Sequence, residues 1–244
     1  MMTVADAFVA LAHDAARLGL RLSEGQREAC ERYATELIEA TKSVNLTAIT
    51  DPQGIATKHF LDSFTAYAAR PWTGHERLID VGSGAGIPGL ALRIALPGIT
   101  LTAVESTGKK ARAIERFRDL LALDRVGVEA VRAEDLARAP AHRARYDVAA
   151  ARALGTLGLC VELCFPFLRV GGDAVVWKGR IDAELPGAKK ALHALGGEIV
   201  VVVPTSSLGL GDQLPGRQLV VMRKTRATPE KYPRPAAELK RKPW

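Results

Sequence analysis

Residues 78–89 read Leu-Ile-Asp-Val-Gly-Ser-Gly-Ala-Gly-Ile-Pro-Gly. A short apolar run, three alternate glycines and a proline spell a buried strand, a turn that needs backbone freedom, and a helix start. Such a turn opens a parallel α/β sheet, whose ligands lie at the carboxyl ends of the strands. The chain continues in the same manner. Apolar runs at 100–104, 126–131, 148–151, 174–177, 198–203 and 219–222 alternate with amphipathic stretches at 88–96, 109–123, 155–168 and 183–195. Strand–helix alternation predicts a sheet covered on both faces. The last two runs are joined by a Gly/Pro/Ser-rich loop, which predicts a final antiparallel hairpin.

The first 70 residues have helical spacing instead. Apolar residues recur every three or four positions through 4–18. Ser23 with Gln26 forms a capping box that opens a second helix to about 41, and Asp51 before Pro52 opens a third to about 69. These signals predict a helical extension over 1–72, a ligand-binding α/β domain over 73–224, and a basic tail over 225–244. From Arg223 onward eight basic residues face only Glu230 and Glu238, so this end holds most of the net charge of +7. Concentrated positive charge suits a polyanion.

The glycine turn discriminates between cofactors. A dinucleotide fingerprint needs a third glycine at position 87, which is Ile87, and the spacing here is GxGxG. Asp80 stands two residues before Gly82, a pattern like that of S-adenosylmethionine (SAM)-dependent methyltransferases with a Rossmann-like sheet. Asp80 also suits the amides of its own turn, and holding the turn is part of making the site. Glu105 closes the second strand, where a carboxylate can accept from both ribose hydroxyls.

The acceptor is narrowed by what is missing. An Asn/Asp-Pro-Pro-aromatic loop, common for exocyclic amines, is absent, and the fourth strand runs into Ala151-Arg152-Ala153-Leu154. Cys160 and Cys164 are spaced i,i+4 among apolar neighbours, which reads as core rather than nucleophile or metal site. Guanine N7 has a lone pair and no proton, so its attack needs no general base; composition alone does not select it.

Several segments together resemble one family, RsmG (also called GidB), guanine-N7 methyltransferases of small-subunit (16S) ribosomal RNA. They are Val44-Asn45-Leu46-Thr47, Lys58-His59-Phe60-Leu61-Asp62-Ser63, the 80–89 turn, Glu105 with Lys109-Lys110, Arg132-Ala133-Glu134, Ala151-Arg152-Ala153, Lys178-Gly179 and Lys231-Tyr232-Pro233-Arg234. The resemblance implies a seven-stranded SAM-dependent sheet behind an N-terminal helical extension. It implies SAM contacts along Gly82, Gly84 and Ile87, with Glu105, Ser106 and Thr107 around the ribose and Ala133 and Glu134 at the adenine. Arg152 would position cofactor and acceptor. Asn45, His59, Arg132, Lys178, Lys231 and Arg234 would face RNA. After Arg234 the tail departs from the family's usual pattern and ends Lys240-Arg241-Lys242-Pro243-Trp244.

Other functions stay open on residues alone: methyl transfer to another RNA base or a small molecule, or RNA binding in subunit assembly with a relic SAM pocket. Composition adds limits. The chain is 48% apolar and 25% charged, an ordinary globular balance. No apolar run approaches the roughly 20 residues of a membrane span. Three cysteines suit no disulfide framework, and the first ten residues carry no basic residue for a secretory signal. A cytoplasmic monomer without metal is expected, with 16S ribosomal RNA or the small subunit as partner.

Overall fold

A computed structural model describes residues 2–244. Two helices open it, α1 (Val4–Arg17) and α2 (Glu24–Thr41), each with a capping box, on Thr3 and Ser23. The third expected helix is one helical stretch of three parts. Asp51 caps α3 (Pro52–Ile55), a π-turn occupies Ala56–Leu61, and α4 (Asp62–Ala69) follows. The wide turn was not legible in the sequence, because spacing reports a helical face and not the hydrogen-bond period; such turns often mark sites.

Seven strands follow in the expected alternation: β1 (Arg77–Val81), β2 (Thr100–Val104), β3 (Val126–Glu129), β4 (Tyr146–Arg152), β5 (Leu168–Lys178), β6 (Gly197–Pro204) and β7 (Gln218–Lys224). Between them lie α5 (Gly89–Ala95), α6 (Gly108–Leu120), α7 (Ala133–Leu136), α8 (Leu157–Cys164) and α9 (Leu185–Leu195), and α10 (Ala236–Arg241) lies in the tail. The sheet order is β3-β2-β1-β4-β5-β7-β6. All pairs from β3 to β5 are parallel, while β7 is antiparallel to both neighbours. The expected hairpin is therefore present, with β7 inside it and β6 at the edge. The chain leaves β1 toward β2 on one side and returns to β4 on the other, which opens a crevice at their carboxyl ends.

β5 begins six residues before the expected run. Gly171 has φ +84° and the register slips between Tyr146 and Val148. A Cβ on Gly172 would meet the Asp147 carbonyl at 2.9 Å. These glycines and the bend they allow break the apolar alternation, which hid the start of the strand and made the preceding helix look longer.

Alternate sheet residues feed two cores. Leu78, Leu101, Val148, Val175 and Val221 face α1, α2, α4, α5 and α6. Ile79, Val81, Ala149, Val176 and Val220 face α8 and α9. The N-terminal helices thus share one core with the sheet. An aromatic cluster joins them to it: Tyr33 lies 5.4 Å from Phe60 and 5.1 Å from Phe117, and Phe8 lies 4.9 Å from Phe60, in ring-centroid distances.

Candidate active site

Gly82, Gly84 and Gly86 all have positive φ, at 72°, 60° and 88°, which L side chains rarely adopt. Asp80 lies fully buried beneath this turn. One carboxylate oxygen accepts from the Ser83 hydroxyl at 2.5 Å and the Gly89 amide at 2.9 Å, and the other has no partner among the described residues. Burial pushes its pKa up to about 6, against the pull of those hydrogen bonds. Asp80 therefore shapes the turn from below and lines none of the three cavities described next, which fits the turn-holding reading of its carboxylate. From the other side the Tyr33 hydroxyl donates to the Ala85 carbonyl at 2.5 Å.

Three cavities share Leu154, and two of them border the turn. The first, about 200 Å³, is bounded by Gly82, Glu105, Ser106, Arg132, Ala133, Glu134 and Leu154, with Leu159 and Leu163 of α8 and Leu239 of α10. A second, about 390 Å³, runs past Gly82, Gly84, Ile87, Glu105 and Ser106 to Thr47, His59 and Arg152. In the third, about 400 Å³, His59 and Arg152 are joined by Lys58, Trp177, Lys178 and Arg217. Glu105 borders the first two cavities. Its Oε1 accepts from the Thr107 amide at 2.7 Å and its Oε2 from the Gly84 amide at 3.0 Å. Thr107 contributes that backbone bond and lines none of the three.

Arg152 ends β4 and reaches the helical stretch. It donates to the Lys58 carbonyl at 3.0 Å and to Asp62 at 3.1 Å. Asp62 is fully buried and also meets Arg217 at 3.1 Å. Burial raises the Asp62 pKa, with the two guanidiniums opposing the rise. Arg152 lies 3.4 Å from His59 Nδ1, so the ring proton belongs on Nε2, which then donates to the Thr47 hydroxyl at 2.7 Å. Burial and the neighbouring Arg152 push the His59 pKa down to about 4, so the imidazole is neutral near pH 7.

The expected RNA-side residues divide. His59 and Lys178 border the third cavity, where Lys178 donates to the Gly155 carbonyl and pairs with Glu184, both at 2.8 Å. Arg132 is exposed at the rim of the first cavity, 3.6 Å from Glu134. Asn45 and Lys231 are exposed and line none of the three. Arg234 departs from expectation: its guanidinium is occupied by the fully buried carboxylate of Glu162, at 2.6 Å. A short basic motif reveals no partner 72 residues upstream, so the sequence left that guanidinium looking free. Asp62, Arg217, Thr47 and Tyr33 belong to the site and carried no assigned role in the sequence. Asp62 and Thr47 at least stood inside the quoted motifs. Cys160 and Cys164 are buried core residues with thiols held well above their usual range.

A seven-stranded sheet in this order with a glycine turn at its switch point defines a Rossmann-like methyltransferase fold. Solved structures agree on the fold. The cyclase SpnF, a [4+2]-cyclase, superposes with a TM-score of 0.57 at 17% identity, covering 84% of this chain and 97% of its own. A putative methyltransferase from Bacillus halodurans gives 0.51 at 14% identity, covering 68% and 99%. One fold thus serves different chemistry, and the reaction must come from the site. Sequence relatives are more specific. The profile of GidB, the rRNA small subunit methyltransferase G family, matches residues 26–210. Ribosomal RNA small subunit methyltransferase G of Roseiflexus castenholzii is 44% identical over 221 residues, 88% of this chain and 91% of that protein. The chain belongs to the rRNA small subunit methyltransferase G family.

Proposed function

We propose that this protein is an enzyme that transfers a methyl group from SAM to N7 of a guanosine in small-subunit ribosomal RNA, in the cytoplasm. The observation that carries the reading is the junction of the second and third cavities, where the groups facing an incoming base are the Arg152 cation and the neutral His59. Asp62, the carboxylate that Arg152 grips, is buried under two arginines, and Glu105, which lines the second cavity, already accepts from the Thr107 and Gly84 amides. Such a site offers donors and no free base, which suits the N7 and O6 acceptors of guanine.

SAM, when bound, supplies an electrophilic methyl on a sulfonium. The residues present fit it. The glycine turn permits close backbone approach: a Cβ on Gly84 would meet nothing nearer than the Gly82 carbonyl oxygen at 3.9 Å. Glu105 stands where the first two cavities meet, the place for a ribose. Ala133, Leu159 and Leu163 offer an apolar slot for adenine beside Glu134. Gly82, Gly84, Ile87 and Ser106 border the path of the methionine chain, with Thr107 fastening Glu105 from behind. Arg152, braced by Asp62, orients the base for in-line attack, and this alignment is the main contribution of the chain. His59 and Lys178 line the base side. Arg132, Asn45 and Lys231, all exposed, are the residues we assign to phosphates.

The test is incubation of small subunits or their RNA with labelled SAM, followed by cleavage chemistry specific for N7-methylguanosine. Labelled guanosine at a cleavable site is expected. Product only at an exocyclic amine, or unlabelled RNA, overturns the proposal.

A further inference from the structure

The C-terminal segment carries eleven residues from Arg234 to Trp244 that the glycine turn and the motifs around Arg152 leave unexplained. Its anchoring is dense. The Glu162 carboxylate on α8 accepts from the Arg234 amide at 2.7 Å, the Arg234 guanidinium at 2.6 Å and the Trp244 indole at 2.6 Å. The guanidinium also lies 4.7 Å from the centre of the Trp244 ring. Glu162 is fully buried, so a charge placed there without a partner would be costly, and the tail supplies both the cation and the remaining donors.

The two helices beneath are shaped for this seat. A Cβ on Gly158 of α8 would meet the Trp244 Cβ at 2.6 Å, and one on Gly187 of α9 would meet the Trp244 carbonyl oxygen at 2.7 Å. Two glycines on different helices thus clear one space for the terminal tryptophan. Between the anchors runs α10, and its Ala236, Leu239 and Lys240 line the first cavity together with Ala133 and Leu159. Lys240, Arg241 and Lys242 are exposed.

We propose that the C-terminal segment is a wall of the SAM pocket: α10 covers the adenine side, and Glu162 latches it in place through Arg234 and Trp244. This rests on the assignment of the first cavity to the adenosine half of SAM. The tail is then a ligand-facing part of the site, and Leu239 is its principal contact. A consequence follows from mass action. Whatever loosens the latch weakens the donor and its used form, S-adenosylhomocysteine, by the same factor, because both present the same adenosine.

The experiment is calorimetric titration of the full chain with S-adenosylhomocysteine and with 5′-methylthioadenosine, which lacks the amino-acid portion. Two variants are compared with wild type: Leu239→Asp, at a half-buried position on a surface helix, and a chain ending at Pro243. Unliganded melting temperatures report whether each variant is folded. Loss of tenfold or more in affinity for both ligands, with similar factors for the two, is the expected result for Leu239→Asp, and at least threefold for the shortened chain. Affinities within twofold of wild type for both variants overturn the proposal while the cofactor reading stands. A folded wild-type chain that binds neither ligand overturns the cofactor reading, and this inference with it.

Discussion

Replacing Glu105 by glutamine separates what the carboxylate does for the protein from what it does for the ligand. The two side chains are nearly the same size, and the carboxylate oxygens accept from the Thr107 and Gly84 amides at 2.7 and 3.0 Å. Glutamine keeps one acceptor and turns an NH2 group toward one of those amides. That loss occurs with and without ligand, so it belongs to stability and lowers the unliganded melting temperature. On the ligand side the ribose hydroxyls lose a charged acceptor. A hydrogen bond to a charged group contributes about 1.5–3 kcal/mol. Losing one such bond in the complex corresponds to roughly 10- to 150-fold in affinity, at about 1.4 kcal/mol per decade. Titration calorimetry with S-adenosylhomocysteine measures the second effect, and a melt without ligand measures the first. A variant that melts lower yet binds within threefold of wild type refutes the ribose role of Glu105 and leaves it as a brace of the turn.

Arg152→Lys preserves charge but not the planar fork, whose Nη1 reaches the Lys58 carbonyl and Asp62 and whose Nη2 reaches His59. It is expected to lower kcat at least tenfold with S-adenosylhomocysteine affinity within threefold, checked by single-turnover methylation and calorimetry. The RNA-side residues are separable by salt: Arg132→Ala removes an exposed cation and reduces the slope of log K against log salt by about 0.7–0.9 if it meets one phosphate. Arg234→Ala, whose charge is spent on Glu162, leaves that slope unchanged and lowers the melting temperature instead; the reverse pattern sinks the assignment. Asp80 sets a pH dependence. Its folded value of about 6 lies above its ordinary range, so the unfolded chain releases this proton first. Its contribution to stability is therefore fullest below about pH 4 and is lost as pH rises toward 6. His59 works the other way: held down to about 4 in the fold, it makes stability rise with pH between about 4 and 6.5. Melting curves of Asp80→Asn and His59→Gln across pH 3.5–7.5, referenced to wild type, are expected to deviate in opposite senses, and parallel curves contradict both assignments.

Local chemistry made most of the sheet legible. The 78–89 segment shows its strand, turn and helix start in consecutive residues, because backbone freedom at Gly82 and Gly84 is a local demand. Glu105 could be found from its place at the end of an apolar run. The brace around Arg152 could not: Asp62 lies 90 residues before it and Arg217 65 after it, and only the folded sheet brings the three together. The partner of Arg234 was hidden for the same reason, since its charge was visible and Glu162 was not. Leu239 gave no signal, because one leucine in a basic tail has no periodicity to place it.

The Tyr33 hydroxyl on the Ala85 carbonyl ties the opening helices to the loop that would carry the donor. Looseness anywhere among Phe8, Tyr33 and Phe60 is therefore expected to reach that loop as imprecision of aim. A scan of substitutions scored by turnover would find sensitive positions near the start of the chain that meet neither methyl donor nor nucleic acid. Their signature would be slower chemistry at saturating donor and RNA.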